Sequence, residues 1–199
     1  MKFSLHELRS CLDAAATFDR LYRERAKPSS SPRRLRDHFL PLAREYTGEN
    51  IEAFELNEPL PHESIYGYFV AEAKGFSILI SKGQPFHEPQ VRYVLCKEIF
   101  HGILKSDGSN AKDVCGHLDE IEVTFPVRDS EPGAAVKSEL LAEIAAMEFL
   151  FPYKARVEEL GRSPVDFAKI AEKYLIPQYL VEIYLHPAYM TELGAMVVK

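Results

Sequence analysis

The sequence is poor in cysteine and in long hydrophobic runs. It contains three cysteines, an odd number, and no C-x-x-C pair, which favours reduced thiols over a framework of disulfide bonds. It also contains no apolar run long enough to span a bilayer and no N-terminal signal pattern. These absences lead us to expect a cytoplasmic protein that makes no contact with membranes.

Acidic residues outnumber basic residues, and this limits the binding of nucleic acid. The 199 residues include 24 Lys or Arg and 30 Asp or Glu, for a net charge of −6. Residues 1–50 contain ten Lys or Arg and seven Asp or Glu, so they carry +3 and the remainder carries −9. An acidic body argues against general binding to a phosphate backbone. The basic patch between Arg20 and Arg36 leaves a local contact open.

Hydrophobic periodicity predicts an α+β protein that is mostly helical, with a small sheet and a C-terminal helix pair. Capping and proline signals place helices at residues 5–27, 32–46 with a kink at Pro41, 91–105, 137–151, 163–174 and 177–185. Strands are predicted at residues 51–56, 65–71, 76–80 and 121–125, with a hairpin turn at 73–75 that uses Gly75. The sequence shows no internal repeat.

A serine-rich break at residues 28–32 interrupts the helical pattern and divides the chain into predicted units. Residues 1–27 are expected to form an N-terminal helical appendage, and residues 32–152 the main domain. Residues 163–199 are expected to form a helix pair packed on that domain. A chain of 199 residues suits one domain with such an appendage.

The central predicted helix carries a modified zinc motif at residues 97–101, Lys-Glu-Ile-Phe-His. In an intact H-E-x-x-H motif, two histidines one turn apart bind zinc, and the glutamate between them activates the metal-bound water. Here Glu98 and His101 are retained, and Lys97 stands at the first histidine position. The helix has one polar stripe, formed by Lys97, Glu98, His101 and Lys105. A solvent-facing stripe on a buried helix is therefore the alternative interpretation.

A second motif follows at residues 139–152, and the order of the two motifs resembles the ImmA/IrrE family of zinc metallopeptidases. The segment is similar to the family pattern E-x-x-A-N-x-F-A-x-x-L-L-M-P at Glu139, at two alanines and at the closing proline corner. The resemblance covers roughly residues 31–185 and implies a zincin-like metallopeptidase fold. It also implies that Glu98 is the general base and that His101 and Glu139 are two of three zinc ligands.

The chain departs from the family pattern at Lys97, and at Glu143 and Ala145, which replace the usual asparagine and phenylalanine. An ammonium ~4 Å from a zinc ion, at an effective dielectric constant of ~20, would be repelled by roughly 8 kcal/mol. A structural zinc site contributes only about 10–16 kcal/mol in total. We therefore expect no bound zinc, with the Lys97 ammonium acting as the counter-charge to Glu139 or Glu98. The alternative for Glu139 and Glu143 is a solvated helix face.

The resemblance implies a regulator, because active family members are associated with cleaving or inactivating transcriptional repressors in stress, phage and mobile-element circuits. We expect a catalytically degenerate member, a pseudoenzyme, that binds a protein partner such as a repressor. One alternative is an active zinc metallopeptidase that cleaves a repressor or antitoxin. Its missing ligand would come from a loop cluster, which is more simply interpreted as a polar surface loop, formed by Cys115, His117, Asp119 and Glu120. The other alternative is a DNA-binding regulator that uses the C-terminal helix pair, which Glu172 and Glu182 oppose.

Overall fold

The structure is a computed structural model that describes residues 5–26, 32–56, 67–72, 74–81, 88–104 and 134–197. It confirms the α+β class, mostly helical with a small mixed sheet. The described helices are α1 (Leu5–Arg25), α2 (Phe39–Thr47), α3 (Glu88–Leu104), α4 (Ala134–Leu150), α5 (Tyr153–Leu160), α6 (Phe167–Tyr174), α7 (Gln178–Tyr184) and α8 (Pro187–Val197). The described strands are β1 (Asn50–Leu56), β2 (Gly67–Glu72) and β3 (Gly75–Ser81).

The three strands form one sheet in the order β1-β3-β2. β1 runs parallel to β3, and β2 pairs with β3 as the predicted antiparallel hairpin. Gly75 has φ of 146° at the start of β3, and a Cβ there would lie 1.8 Å from the carbonyl oxygen of Asn50. The turn therefore requires glycine at this position.

One face of the sheet packs against α3 and positions the candidate site. Ile51, Phe76 and Ile78 share that face and are buried. Gly102 of α3 sits on the Phe76 ring, so closely that an added Cβ would lie 2.3 Å from the ring's Cζ atom. A glycine late in α3 therefore allows the helix to approach the sheet at the turn that also carries His101.

Helix α4 is the centre of the core and contacts both α1 and α3. Its Ala142, Ala145 and Ala146 are fully buried, as the close approach of neighbouring helices requires. Phe18 of α1 packs edge-on against Phe149 of α4, with ring centroids 4.9 Å apart. The division of the chain into three units stays a prediction, but α1 shares its core with α4.

A buried arginine connects α3 to the C-terminal helices. Arg92 is 1% exposed. Its Nη1 donates to the carbonyl oxygen of Tyr174 at 2.9 Å and to that of Leu175. Burial lowers the pKa of Arg92 to about 10. The guanidinium satisfies carbonyls at the end of α6 that have no partner within that helix.

Two predicted helix starts are wrong. The second helix begins at Phe39, after a 3₁₀ turn at Arg36–His38, and not at Pro32. Pro41 then lies in the first turn of α2, where a backbone N–H has no acceptor within the helix, so the expected reason for a kink disappears. The helix expected from Ser163 begins at Phe167. Asp166 caps it and accepts a hydrogen bond from the Lys169 backbone N–H at 3.0 Å.

The prediction omitted two helices, α5 and α8. The predicted strand at 121–125 lies outside the described residues, as do Lys105 and the loop cluster of Cys115, His117, Asp119 and Glu120. Among the described helices, none has the length and apolar character needed to cross a bilayer.

Candidate functional site

The α3–α4 interface brings the residues of both motifs together. His101 Nε2 lies 3.0 Å from Glu139 Oε1, and Lys97 Nζ lies 2.7 Å from Glu139 Oε2. Lys97 and His101 are one helical turn apart, so both side chains project from the same face of α3. Glu139 projects between them from α4. We call this group, together with Glu98, the Lys97 cleft.

Glu98 forms the buried side of the Lys97 cleft. It is 3% exposed, and its Oε1 lies 3.2 Å from Lys97 Nζ. The first residue of β2, Gly67, lies directly against it. A Cβ added at Gly67 would lie 3.1 Å from Glu98 Cγ and 2.5 Å from Val94 Cγ1. The start of β2 is therefore a wall of the cleft. Sequence patterns could not indicate this, because Gly67 lies outside both motifs.

The pKa shifts of Lys97 and Glu139 favour the charged form of each side chain. Burial alone would lower the pKa of Lys97, but the charges of Glu98 and Glu139 outweigh it and raise that pKa above its ordinary value. For Glu139, burial would raise the pKa, but contact with His101 and the charge of Lys97 bring it well below its usual range. The two side chains therefore form an ammonium–carboxylate pair at neutral pH.

The imidazole of His101 is held less tightly than the ammonium. Although its Nε2 lies close to Glu139 Oε1, the ring does not direct an N–H along that line, and Nε2 has no aligned hydrogen bond among the described residues. Its Nδ1 lies 3.5 Å from Ser138 Oγ, a long contact. Lys97 is therefore the better donor to Glu139.

A second polar layer lies one helical turn from the Lys97 cleft, towards the start of α3 and the end of α4. Tyr93, four residues before Lys97, donates its hydroxyl to Glu143 Oε2 at 2.9 Å. Tyr184 of α7 donates to Glu143 Oε1 at 3.2 Å. Burial raises the pKa of Glu143 above its ordinary value, and the two hydroxyl donors only partly offset this. Glu143 is thus a half-buried, hydrogen-bonded carboxyl and not part of a solvated face.

The sequence could have suggested one half of this layer. Tyr93 and Lys97 share a face of α3, and Glu143 and Glu139 share a face of α4, so pairing the first motif with the second would have paired Tyr93 with Glu143. Tyr184 carried no such signal, because it comes from α7, some forty residues further along the chain.

The described residues do not fit a zinc ion. His101 and Glu139 offer lone pairs, but an ammonium at position 97 has three donors and no lone pair. Within the described ranges, no group of three or more His, Cys, Asp or Glu is arranged to hold a metal. The predicted replacement ligands, Cys115 and His117, lie outside those ranges.

Five arginines of the basic patch pair with carboxylates of the chain itself. Arg20 pairs with Glu24 at 2.8 Å, and Arg25 pairs with Glu45 at 2.6 Å. Arg23 and Arg34 both pair with Asp19, and Arg36 pairs with Glu55. These pairs reduce the attraction that the patch would exert on a phosphate backbone.

Comparison with known proteins does not identify a family for this chain. No protein-family model matches the chain, and no curated protein matches it. The resemblance to the ImmA/IrrE family therefore rests on the two motifs and their order.

Proposed function

We propose that this chain is an ImmA/IrrE-like protein with a zincin-like fold whose peptidase site has lost its metal. It acts in regulation by binding a protein partner, such as a transcriptional repressor, without cutting it. The family assignment and the type of partner come from the resemblance. The loss of the metal is argued from the Lys97 cleft.

The observation that carries the proposal is the position of the Lys97 ammonium. Its Nζ lies 2.7 Å from Glu139 Oε2 and 3.2 Å from Glu98 Oε1, so the same cation contacts both carboxylates. These are the carboxylates that the resemblance assigns to metal binding and to general-base catalysis. A divalent cation would have to displace the ammonium or be repelled by it. Without a metal-bound water, Glu98 has no nucleophile to activate.

Metal analysis tests the first half of the proposal. Protein purified without chelator should contain far less than one equivalent of zinc, and added chelator should leave its melting temperature unchanged. Near one equivalent of zinc, together with a melting temperature lowered by chelator, would contradict the proposal. That result would support the alternative of an active metallopeptidase with an altered ligand set.

Incubation with a captured partner tests the second half. The chain, used as bait in its native host, should recover a transcriptional regulator. Incubated with purified chain and zinc, that regulator should remain full length and in complex. Discrete fragments that form only in the presence of the metal would contradict the proposal, because they require a working peptidase. The Glu98→Gln variant is the control, since it should abolish any true peptidase activity.

A further inference from the structure

A second polar pocket lies at the corner between α5 and α6. It has a volume of about 220 Å³ and shares no lining residue with the Lys97 cleft. Its charged lining residues are Glu159, Arg162, Asp166, Lys169 and Lys173. We call it the α5–α6 pocket.

A buried carboxylate fixes the cations of this pocket. Glu159 is 5% exposed and accepts from Arg162 Nη1 at 3.1 Å on both of its oxygens. It also accepts from Lys173 and, at 3.3 Å, from the hydroxyl of Tyr174. These donors occupy the acceptor positions of Glu159, so its hydrogen bonding is already satisfied. Glu159 therefore positions Arg162 and Lys173 and does not itself bind a ligand.

Arg162 and Lys169 have N–H donors that are not used in their ion pairs. Glu159 uses only Nη1 of Arg162, whose side chain is 62% exposed, and a guanidinium has five N–H donors in a planar fork. Lys169 pairs with Asp166 at 3.2 Å and keeps two further ammonium donors. The lining holds three cations and two carboxylates. It is therefore locally positive in a chain whose net charge is −6.

The pocket is apolar as well as cationic. Pro164, Val165 and Ile170 complete its lining. Phe167, the residue after Asp166, is 38% exposed, and Leu160, the residue after Glu159, is 39% exposed. A ligand that suits this lining has one carboxylate for the Arg162 fork and an apolar group beside it.

We propose that the α5–α6 pocket binds an acidic side chain from a segment of the protein partner in which that acid neighbours an apolar residue. The inference rests on the proposed function for the existence of such a partner. A nucleic-acid backbone fits less well. Its repeated negative charges require a row of cations, whereas two carboxylates line this pocket. The chemistry needed is one carboxylate–guanidinium fork.

A titration followed by two-dimensional amide NMR tests this directly. The full chain is titrated with a capped leucine–glutamate–leucine tripeptide and with the matched leucine–glutamine–leucine tripeptide. The variant is Arg162→Gln. The control variant is Arg20→Gln, which removes an arginine of similar exposure that also pairs with one glutamate. A short DNA duplex is the third probe.

The glutamate peptide should shift the amides of residues 162–170, with an effect that weakens as salt rises. Arg20→Gln should leave its affinity unchanged, and Arg162→Gln should weaken it by about threefold or more. Equal binding of the glutamine peptide, shifts elsewhere, or a stronger response of the same amides to DNA would overturn the proposal. None of these results changes the zinc content of the Lys97 cleft, so failure here is distinguishable from failure of the proposed function.

Discussion

Lys97 of α3 and Glu139 of α4 form an ion pair across the helix interface, with Nζ 2.7 Å from Oε2. Both side chains are mostly buried, at 20% and 23% exposure. A buried ion pair of this kind contributes little net stability to the fold. Removing only one partner is strongly destabilising, because the other charge stays in a poorly solvated environment. This asymmetry makes the pair testable by single substitutions.

Replacing Lys97 with methionine should destabilise the fold by about 2–3 kcal/mol, because Glu98 and Glu139 both lose the cation that they contact. Urea unfolding at pH 7 measures the free energy of unfolding. The control is Lys169→Met, which breaks an ion pair on an 83% exposed side chain and should cost less than about 0.5 kcal/mol. Equal losses in the two variants would show that Lys97 is an ordinary surface lysine.

Glu139→Gln should change how stability depends on acid. The folded pKa of Glu139 lies below its usual value, so its contribution is present above the unfolded pKa of about 4.3 and disappears as pH falls further. The parent should therefore be more stable than Glu139→Gln at pH 6, and this advantage should shrink steadily below pH 4. Denaturant unfolding at several pH values measures it, and a constant difference would contradict the assigned charge pair.

Glu143→Gln should show the opposite slope. The folded pKa of Glu143 lies above its usual value, so deprotonation opposes folding and the parent loses stability as pH rises above about 4.3. Relative to the parent, Glu143→Gln should therefore improve between pH 4 and pH 7. The same unfolding series measures both variants. Parallel slopes for the two glutamates, which lie one turn apart on α4, would show that Lys97 does not distinguish them.

The sequence predicted the parts of the site that have helical spacing. The helices that carry the motif on α3 and the glutamate on α4 follow from apolar periodicity. That His101 meets Glu139 is what the resemblance to the ImmA/IrrE family implies. Boundaries at proline were less predictable. Pro32 and Pro164 looked like helix starts, but Phe39 and Phe167 begin the helices, because a proline outside a helix gives the same signal as one in its first turn.

Contacts between distant elements could not be predicted from local spacing. Tyr184 of α7 donates a hydrogen bond to Glu143 of α4. Arg92 of α3 donates to a backbone carbonyl at the C-terminus of α6. Neither pair shares a local pattern, since only the folded arrangement of the C-terminal helices brings the partners together. Helix α5 is absent from the prediction because a proline after a helix indicates its end. Pro152 follows α4 but also occupies the N-cap position of α5.

Gly67→Ala should destabilise the wall of the Lys97 cleft. The new Cβ would lie 2.5 Å from Val94 Cγ1, so β2 or α3 would have to move, at a cost of about 1–3 kcal/mol. The control is Gly161→Ala, where an added Cβ would meet nothing closer than 3.5 Å and φ is −70°. Thermal unfolding of both variants measures the difference. A Gly67→Ala protein as stable as the control would show that β2 does not press on Glu98.

The most direct test of the claim that the Lys97 ammonium takes the place of a metal is a zinc titration of the parent and of Lys97→His, followed by thermal melts. The substitution removes the repelling charge and places an imidazole one turn before His101, on the face that meets Glu139. Zinc should leave the parent unchanged. It should stabilise Lys97→His by about 2.7 kcal/mol at a hundredfold excess over the dissociation constant. A zinc-dependent rise in the parent, or no rise in Lys97→His, would contradict the account.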